Sequence, residues 1–285
     1  MGLPNAGKST LLNNLCGQKI AIVTPKPQTT RNRIVGIKTG ETSQIIFIDT
    51  PGLHESSKTI NKMMVKEAEG GISDGDVFLF ISDPLRQNSV YEEEWIAKLK
   101  ERGKPIIIGI NKVDKADKAS LLPIIAGFAN MGVETIFPIS ARTGEGLEEL
   151  EKAIISFLPM GPKLYPDDMV MEQNERFLAS EVIREYVFRL TREEVPYSCM
   201  VEIIDFKERS PRLSVVTAVI WVEKESQKGI VIGKGGDMIG AIGKAAREEL
   251  EKEFDRKFYL ELKVKTKKDW TKDGKTIRES WQSLK

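Results

Sequence analysis

Cysteine, histidine and long apolar runs are all scarce in this 285-residue chain. Its two cysteines, Cys16 and Cys199, stand far apart and in different expected domains, so no disulfide framework is expected and both read as reduced, small apolar fillers. The single histidine, His54, has no neighbouring set of metal-ligand residues and is given no catalytic role. Apolar runs such as residues 77–81 and 105–110 are strand-sized, far below the ~18 residues a membrane helix requires, which excludes a transmembrane span and leaves only peripheral membrane contact open. The opening Met1-Gly2-Leu3-Pro4 has neither the basic nor the apolar region of a secretory signal, so a cytoplasmic location is expected. Charge of one sign is missing too: 43 Lys and Arg against 42 Asp and Glu give a net charge of +1. Any nucleic-acid footprint must therefore be local, and one basic window exists between residues 256 and 275. The 40% hydrophobic and 30% charged composition suits a globular protein long enough for two cores.

Within that unremarkable composition stand five short motifs in a fixed order. Gly2 to Ser9 fits G-x-x-x-x-G-K-[ST], a phosphate cradle: backbone N–H groups of Asn5, Ala6, Gly7, Lys8, Ser9 and Thr10 turn toward phosphate, Lys8 reaches the β- and γ-phosphates, and the Ser9 hydroxyl ligates Mg²⁺. A helix following the loop aims its positive end at the same anion. Thr30, in the polar stretch Gln28-Thr29-Thr30-Arg31, is a Mg²⁺ ligand that closes only on a nucleotide with a γ-phosphate. Asp49-Thr50-Pro51-Gly52 ends an apolar run, so Asp49 can hold Mg²⁺ through water while the Gly52 N–H faces the γ-phosphate. Asn111-Lys112-Val113-Asp114 supplies a carboxylate for the two hydrogen-bond donors of guanine, a pair adenine does not offer, and Ser140-Ala141 backs the base. Each motif alone is an ordinary turn; all five in order indicate GTP. The expected catalytic groups are Lys8, Thr30 and Gly52.

Strand-like runs at 44–49, 76–83, 105–110 and 135–140 alternate with helical patterns near 60–69, 91–102, 121–131 and 146–158. This predicts an α/β P-loop domain over 1–159 with a mostly parallel sheet. Residues 33–38 and 44–49 are separated by Gly40-Glu41-Thr42 and predict a hairpin, which makes one edge strand antiparallel. A phosphate loop normally follows a buried central strand, yet only Met1 precedes Gly2; an apolar strand upstream of Met1 is expected in the natural protein.

Residues 160–168, with Gly161, Pro162 and Pro166, predict a linker. Beyond it, 169–285 reads as an α+β domain in the order α-β-β-α-α-β. Ile232-Gly233-Lys234-Gly235-Gly236 joins two of its helices, and such a G-x-x-G loop lets a sugar-phosphate backbone approach the peptide plane, with Lys234 adding charge. A dinucleotide fingerprint starting at Gly233 fails because Met238 stands where glycine is required. In the last strand, period two places Glu261, Lys263 and Lys265 opposite Leu260, Leu262 and Val264, and Lys263 and Lys265 join the RNA-contact candidates although outward lysines are commonly mere solvation. Trp270 and Trp281 read as packing residues.

This ordered set, followed by a type II K-homology-like module, resembles the Era family of bacterial ribosome-assembly GTPases over essentially the whole chain, with further matches at Leu190-Thr191-Arg192-Glu193-Glu194-Val195-Pro196 and Tyr259-Leu260-Glu261-Leu262. The resemblance implies GTP hydrolysis coupled to binding of small-subunit ribosomal RNA near its 3′ end during small-subunit maturation, most simply as a monomer. The residue after Gly52 is Leu53, which cannot orient water as the glutamine of signalling GTPases does, so charge stabilisation must carry the chemistry. In related GTPases an asparagine at the position of Asn5 ligates potassium; here Asn5 stands either as that ligand or as a loop-shaping residue. A competing reading is a signalling or membrane-associated GTPase whose C-terminal domain binds protein, though Ser283-Leu284-Lys285 carries no lipidation motif. A third is a nucleotide-dependent scaffold without turnover.

Overall fold

The computed structural model describes residues 1–27, 29–50, 75–86 and 89–282. Gln28, Gly52, Leu53, His54, the helix expected near 60–69 and Ser283-Leu284-Lys285 lie outside the described residues, as does the Trp281 side chain. The described chain forms two compact units, one holding 1–20, 30–50 and the described part of 75–172, the other 21–27, 29 and 173–282.

In the first unit, α1 (Lys8–Cys16) begins after left-handed Gly7 and ends at left-handed Gly17, whose N–H bonds Asn14 O. Its Leu11, Leu12 and Leu15 form the buried face. The expected hairpin is present: β1 (Ile34–Thr39) pairs antiparallel with β2 (Gln44–Asp49), from Ile34↔Asp49 to Thr39↔Gln44. Next, β3 (Phe78–Ser82), β4 (Ile106–Ile110) and β5 (Ile136–Pro138) pair in parallel, in that order. They alternate with α2 (Ser89–Lys100), α3 (Lys118–Asn130) and α4 (Leu147–Phe157). Alternation along the strands sorts the core: Phe78, Phe80, Ile108 and Ile110 pack with Trp95 and Phe128, while Ile81, Ile107 and Ile139 pack with Leu11, Leu150 and Ile154. Helices therefore cover both faces of the parallel strands.

Among the described residues the first unit holds two separate sheets, β1-β2 and β3-β4-β5. β2 and β3 are not hydrogen-bonded to each other, and both line a cavity of about 990 Å³ whose walls include Ile45, Phe47, Leu79, Ile81, Leu11 and Leu15. The start of the chain lies along β3: Ile81 N–H donates to Met1 O at 2.8 Å, the Met1 amine donates to Leu79 O at 2.6 Å, and Gly2 bridges Ile81 in parallel. Burial lowers the pKa of that amine to about 5.

The stretch expected as a linker is fixed rather than loose. Gln44 donates to Tyr165 O at 2.8 Å and accepts from the N–H groups of Leu164 and Tyr165 at 2.8 and 3.0 Å. Ile37 N–H then donates to Val170 O and Glu172 N–H to Val35 O, so the chain runs along β1 and the units divide between Glu172 and Gln173.

The second unit follows the expected order: α5 (Glu175–Leu190), β6 (Met200–Ser210), β7 (Leu213–Val222), α6 (Glu225–Ile232), α7 (Asp237–Phe254) and β8 (Lys257–Thr266), then α8 (Gly274–Gln282), which the sequence pattern did not announce. β7 is central, antiparallel to β6 and parallel to β8. Asn174 caps α5 by accepting from Phe177 N–H at 2.9 Å. Trp270 is buried and its indole donates to Ser198 O at 2.9 Å, the expected packing role.

Residues 21–27 and Thr29, placed by sequence in the first domain, pack here against α5. Arg184 is paired with Glu181 and donates to Thr29 O at 2.6 Å, Arg189 donates to Val23 O at 3.0 Å, and the Lys26 ammonium sits on Phe188 O and Thr191 O. The last carbonyls of a helix have no partner within it, and a cation from outside satisfies them. Among the described residues no helix is long and apolar enough to cross a membrane.

Candidate functional site

The phosphate loop is shaped by backbone conformations that few residues tolerate. Asn5 and Gly7 are left-handed, at φ +64° and +98°. A Cβ on Gly7 would fall 2.1 Å from Asn111 Nδ2, so glycine is required both for the turn and for the approach of Asn111. Lys8 lies at the first turn of α1 with its ammonium inside the loop, donating to Gly2 O at 3.0 Å and Leu3 O at 2.9 Å. Burial lowers its pKa to about 8, against the pull of the Asp49 carboxylate.

Three predicted magnesium residues meet in one cluster. The Ser9 hydroxyl donates to Asp49 Oδ2 at 2.8 Å and lies 2.9 Å from Thr30 Oγ1, which is itself 3.4 Å from Asp49 Oδ2. Burial raises the Asp49 pKa, opposed by Lys8 and by the hydrogen bonds from Ser9 and Thr30. Two hydroxyls and a carboxylate form a hard oxygen set of the kind magnesium takes, and Thr50 Oγ1, next in sequence to Asp49, is buried without a hydrogen-bond partner among the described residues. The residues fit the ion.

The Asn111-Lys112-Val113-Asp114 tetrad and the Ser140-Ala141 turn interlock with that loop. Asn111 donates to Ala6 O at 2.7 Å and accepts from Ala141 N–H at 2.8 Å. Lys112 donates to Asn5 O at 2.7 Å. Asp114 accepts from Ser140 Oγ and from Arg142 Nη2, each at 2.7 Å. The Ser140 hydroxyl, then burial in the opposite sense and the Arg142 charge, hold the Asp114 pKa low, so its side chain is a carboxylate. Sequence reasoning passed over Asp83 and Arg142. Asp83 had a readable signal, since it follows an apolar run as Asp49 does; Arg142 had only its adjacency to Ser140-Ala141.

In the second unit, Gly233, Gly235 and Gly236 all have positive φ, 76°, 63° and 92°. A Cβ on Gly233 would meet Met238 N at 2.7 Å, whereas Gly235 and Gly236 have nothing within 4 Å. Lys234 is exposed, Ile232 half-buried, and α7 is capped by Gly236 without a side-chain bond, while the first N–H of the helix, that of Asp237, donates to Lys234 O. Lys263 and Lys265 are not brought to this loop. Leu262 of β8 faces α7, 3.5 Å from where a Gly243 Cβ would be, so by the pleat the odd-numbered lysines point to the other face. There Lys263 pairs with Glu261 at 2.9 Å and the Lys265 ammonium lies 5.7 Å from the centre of the Trp221 ring.

Comparison with known proteins finds relatives of both units. Residues 1–112 match the family described as 50S ribosome-binding GTPase, and residues 194–271 match the KH domain. GTPase Era of Syntrophus aciditrophicus is 46% identical over 281 residues, 98% of this chain and 92% of that protein. The corresponding protein of Geobacter metallireducens is also 46% identical, over 98% of this chain and 94% of its own. Among solved structures, a point variant of Aquifex aeolicus Era bound to GDP·AlF₄⁻ superposes with a TM-score of 0.93 at 42% identity, covering 97% of this chain and 95% of that one. Era in complex with MgGDPNP and nucleotides 1506–1542 of 16S ribosomal RNA gives the same TM-score, identity and coverage. A GTPase-family match and a KH-domain match in one chain, with near-full-length relatives at this identity, make the chain a GTPase of the Era family.

Proposed function

We propose that the chain is a GTP-driven switch that binds small-subunit ribosomal RNA near its 3′ end and assists maturation of the small ribosomal subunit, acting as a cytoplasmic monomer. The supporting observation is the pairing, in one chain, of the Ser9–Thr30–Asp49 cluster with the open Gly233–Gly236 loop, together with 42% identity to an Era whose crystal structure holds a 16S RNA segment. Asp114 selects guanine through its two donors, and Asn111 and Lys112 hold the loop that receives the phosphates. Lys8 meets charge developing on the transferred phosphate. Magnesium bound by Ser9, Thr30 and, through water, Asp49 supplies charge neutralisation at the phosphate oxygens. Thr30 joins that set only when the γ-phosphate is present, which gives the switch its two states. Gly235 and Gly236 then admit an RNA backbone, while Gly233 lets the turn close on Met238 and Lys234 stands near phosphate. Lys263 and Lys265 belong to a separate outer face and supply at most a second, electrostatic contact.

Asn5 has two roles open to it, potassium ligand or loop shaper, and the hydrolysis rate after exchanging sodium for potassium separates them. The function itself is tested by crosslinking the protein to cellular RNA and sequencing what is bound. Enrichment of the 3′ end of small-subunit ribosomal RNA is expected; reads spread evenly over cellular RNA would overturn the reading.

A further inference from the structure

The Asn111-Lys112-Val113-Asp114 tetrad is tied to the phosphate loop by two side chains, and one of them depends on a carboxylate outside both motifs. Lys112 is left-handed, at φ +67°, and its ammonium lies 2.5 Å from Asp83 Oδ2 as well as 2.7 Å from Asn5 O. The Asp83 side chain is 3% exposed and that of Lys112 26%. A carboxylate so far from water is stabilised by its ion-pair partner, and a partly exposed ammonium held by one carbonyl alone would extend toward solvent. The negative charge of Asp83 thus keeps the ammonium inside, where it fixes the Asn5 carbonyl. Asn5 is the left-handed residue before Ala6, whose own carbonyl is fixed by Asn111. Pinned at both carbonyls, the loop keeps the curvature that points its N–H groups at phosphate.

We propose that Asp83 is a positioning residue for nucleotide binding: acting through Lys112, it fixes Asn5 and the turn of the phosphate loop, and so slows nucleotide release. Asp83 also has a local role, because its Oδ1 accepts from Leu85 N–H at 3.1 Å in the turn after β3. The two roles make different demands on Lys112. If Asp83 acts through Lys112, its removal costs nothing once Lys112 is gone; if it only shapes the turn, the cost is the same in either background.

The experiment follows release of a fluorescent GDP analogue from the full chain with Mg²⁺ present, for wild type, Asp83→Asn, Lys112→Met and the double variant. Asparagine keeps the volume and the acceptor for Leu85 and removes only the charge. Release from Asp83→Asn should be faster by about tenfold or more, the coupling contacting residues can carry, and the double variant should release no faster than Lys112→Met. Thermal unfolding of the last two carries the test even if Asp83→Asn folds poorly. In the Lys112→Met background Asp83 is a buried charge without its partner, so adding Asp83→Asn should leave the unfolding temperature equal or higher. Unchanged release in Asp83→Asn, a further acceleration in the double variant, or a lower unfolding temperature for it would each overturn the proposal.

Discussion

The glycines of the two loops differ in what surrounds them. A Cβ on Gly2 or Gly7 would collide with Ile81 O at 2.2 Å or Asn111 Nδ2 at 2.1 Å, while Gly235 and Gly236 face open space. In the first unit, glycine lets the protein pack against itself, and the result is a loop wired to Lys112, Asn111 and Asp49. In the second unit, the missing side chains of Gly235 and Gly236 leave room for something else, and the loop is held by its own backbone, with Gly236 N–H donating to Gly233 O and Asp237 N–H to Lys234 O. A site that must aim several donors at a small, highly charged ligand gains from preorganisation, because hydrogen bonds fixed in advance need no rearrangement during reaction. A site that clamps a sugar-phosphate backbone needs access first.

That contrast is broken most severely by Lys8→Ala. The variant removes the charge at the centre of the wired loop, and single-turnover GTP hydrolysis should fall by about 10²–10³-fold, as for loss of one transition-state donor. Hydrolysis within a few-fold of wild type would show that the loop's backbone alone suffices.

Asp114→Asn acts on the base rather than on the phosphates. It leaves one guanine donor facing an amide N–H, and GTP affinity should drop about ten- to a hundredfold while xanthine nucleotides become preferred. Competition binding of GTP and XTP measures this, and a retained preference for GTP would remove Asp114 from its role.

The open loop should respond differently. Gly235→Asp has the space for its side chain and a left-handed backbone that aspartate tolerates better than most residues, so the fold survives and the added charge is the perturbation. RNA affinity should fall about tenfold with GTP affinity unchanged. Gly235→Asn separates charge from bulk; equal losses in the two variants would assign the effect to bulk.

The smallest effect is a proton. Nucleotide-free Lys8 titrates at about 8 because it is buried, and bound phosphate favours its charged form and raises that pKa. Nucleotide binding at pH 8 should therefore draw in roughly half a proton, and near pH 6, where Lys8 is already charged, almost none from this group. Calorimetry in buffers of different ionisation enthalpy counts the protons. By the same sign, the folded state binds fewer protons than the unfolded chain between about pH 8 and the ordinary lysine pKa of 10.5, so Lys8 makes nucleotide-free stability rise with pH across that window. Proton uptake that does not vary between pH 6 and 8 would contradict the placement of Lys8.

Spacing alone made the phosphate loop, the guanine tetrad, the Asp49 strand end, the hairpin and the Gly233–Gly236 turn legible, since each depends on neighbours a few residues away and on alternation of period two or 3.6. The roles of Ser9, Thr30 and Asp49 followed from motif order, and the structure gathers them into one cluster. Other features depend on partners distant in sequence. Asp83 becomes significant because β3 ends beside the Lys112 ammonium, and residues 21–27 and Thr29 join the second unit because α5 offers them carbonyls and arginines more than 150 residues away. Lys263 and Lys265 were grouped with the RNA loop by their charge, but the pleat of β8 turns them to the opposite face from α7. The sequence determined local backbone shape and the chemistry each motif offers, because both are encoded by adjacent residues. Only the tertiary structure decided which carboxylate holds which cation and which face a lysine serves, because burial and distance between remote residues exist only once the chain has packed.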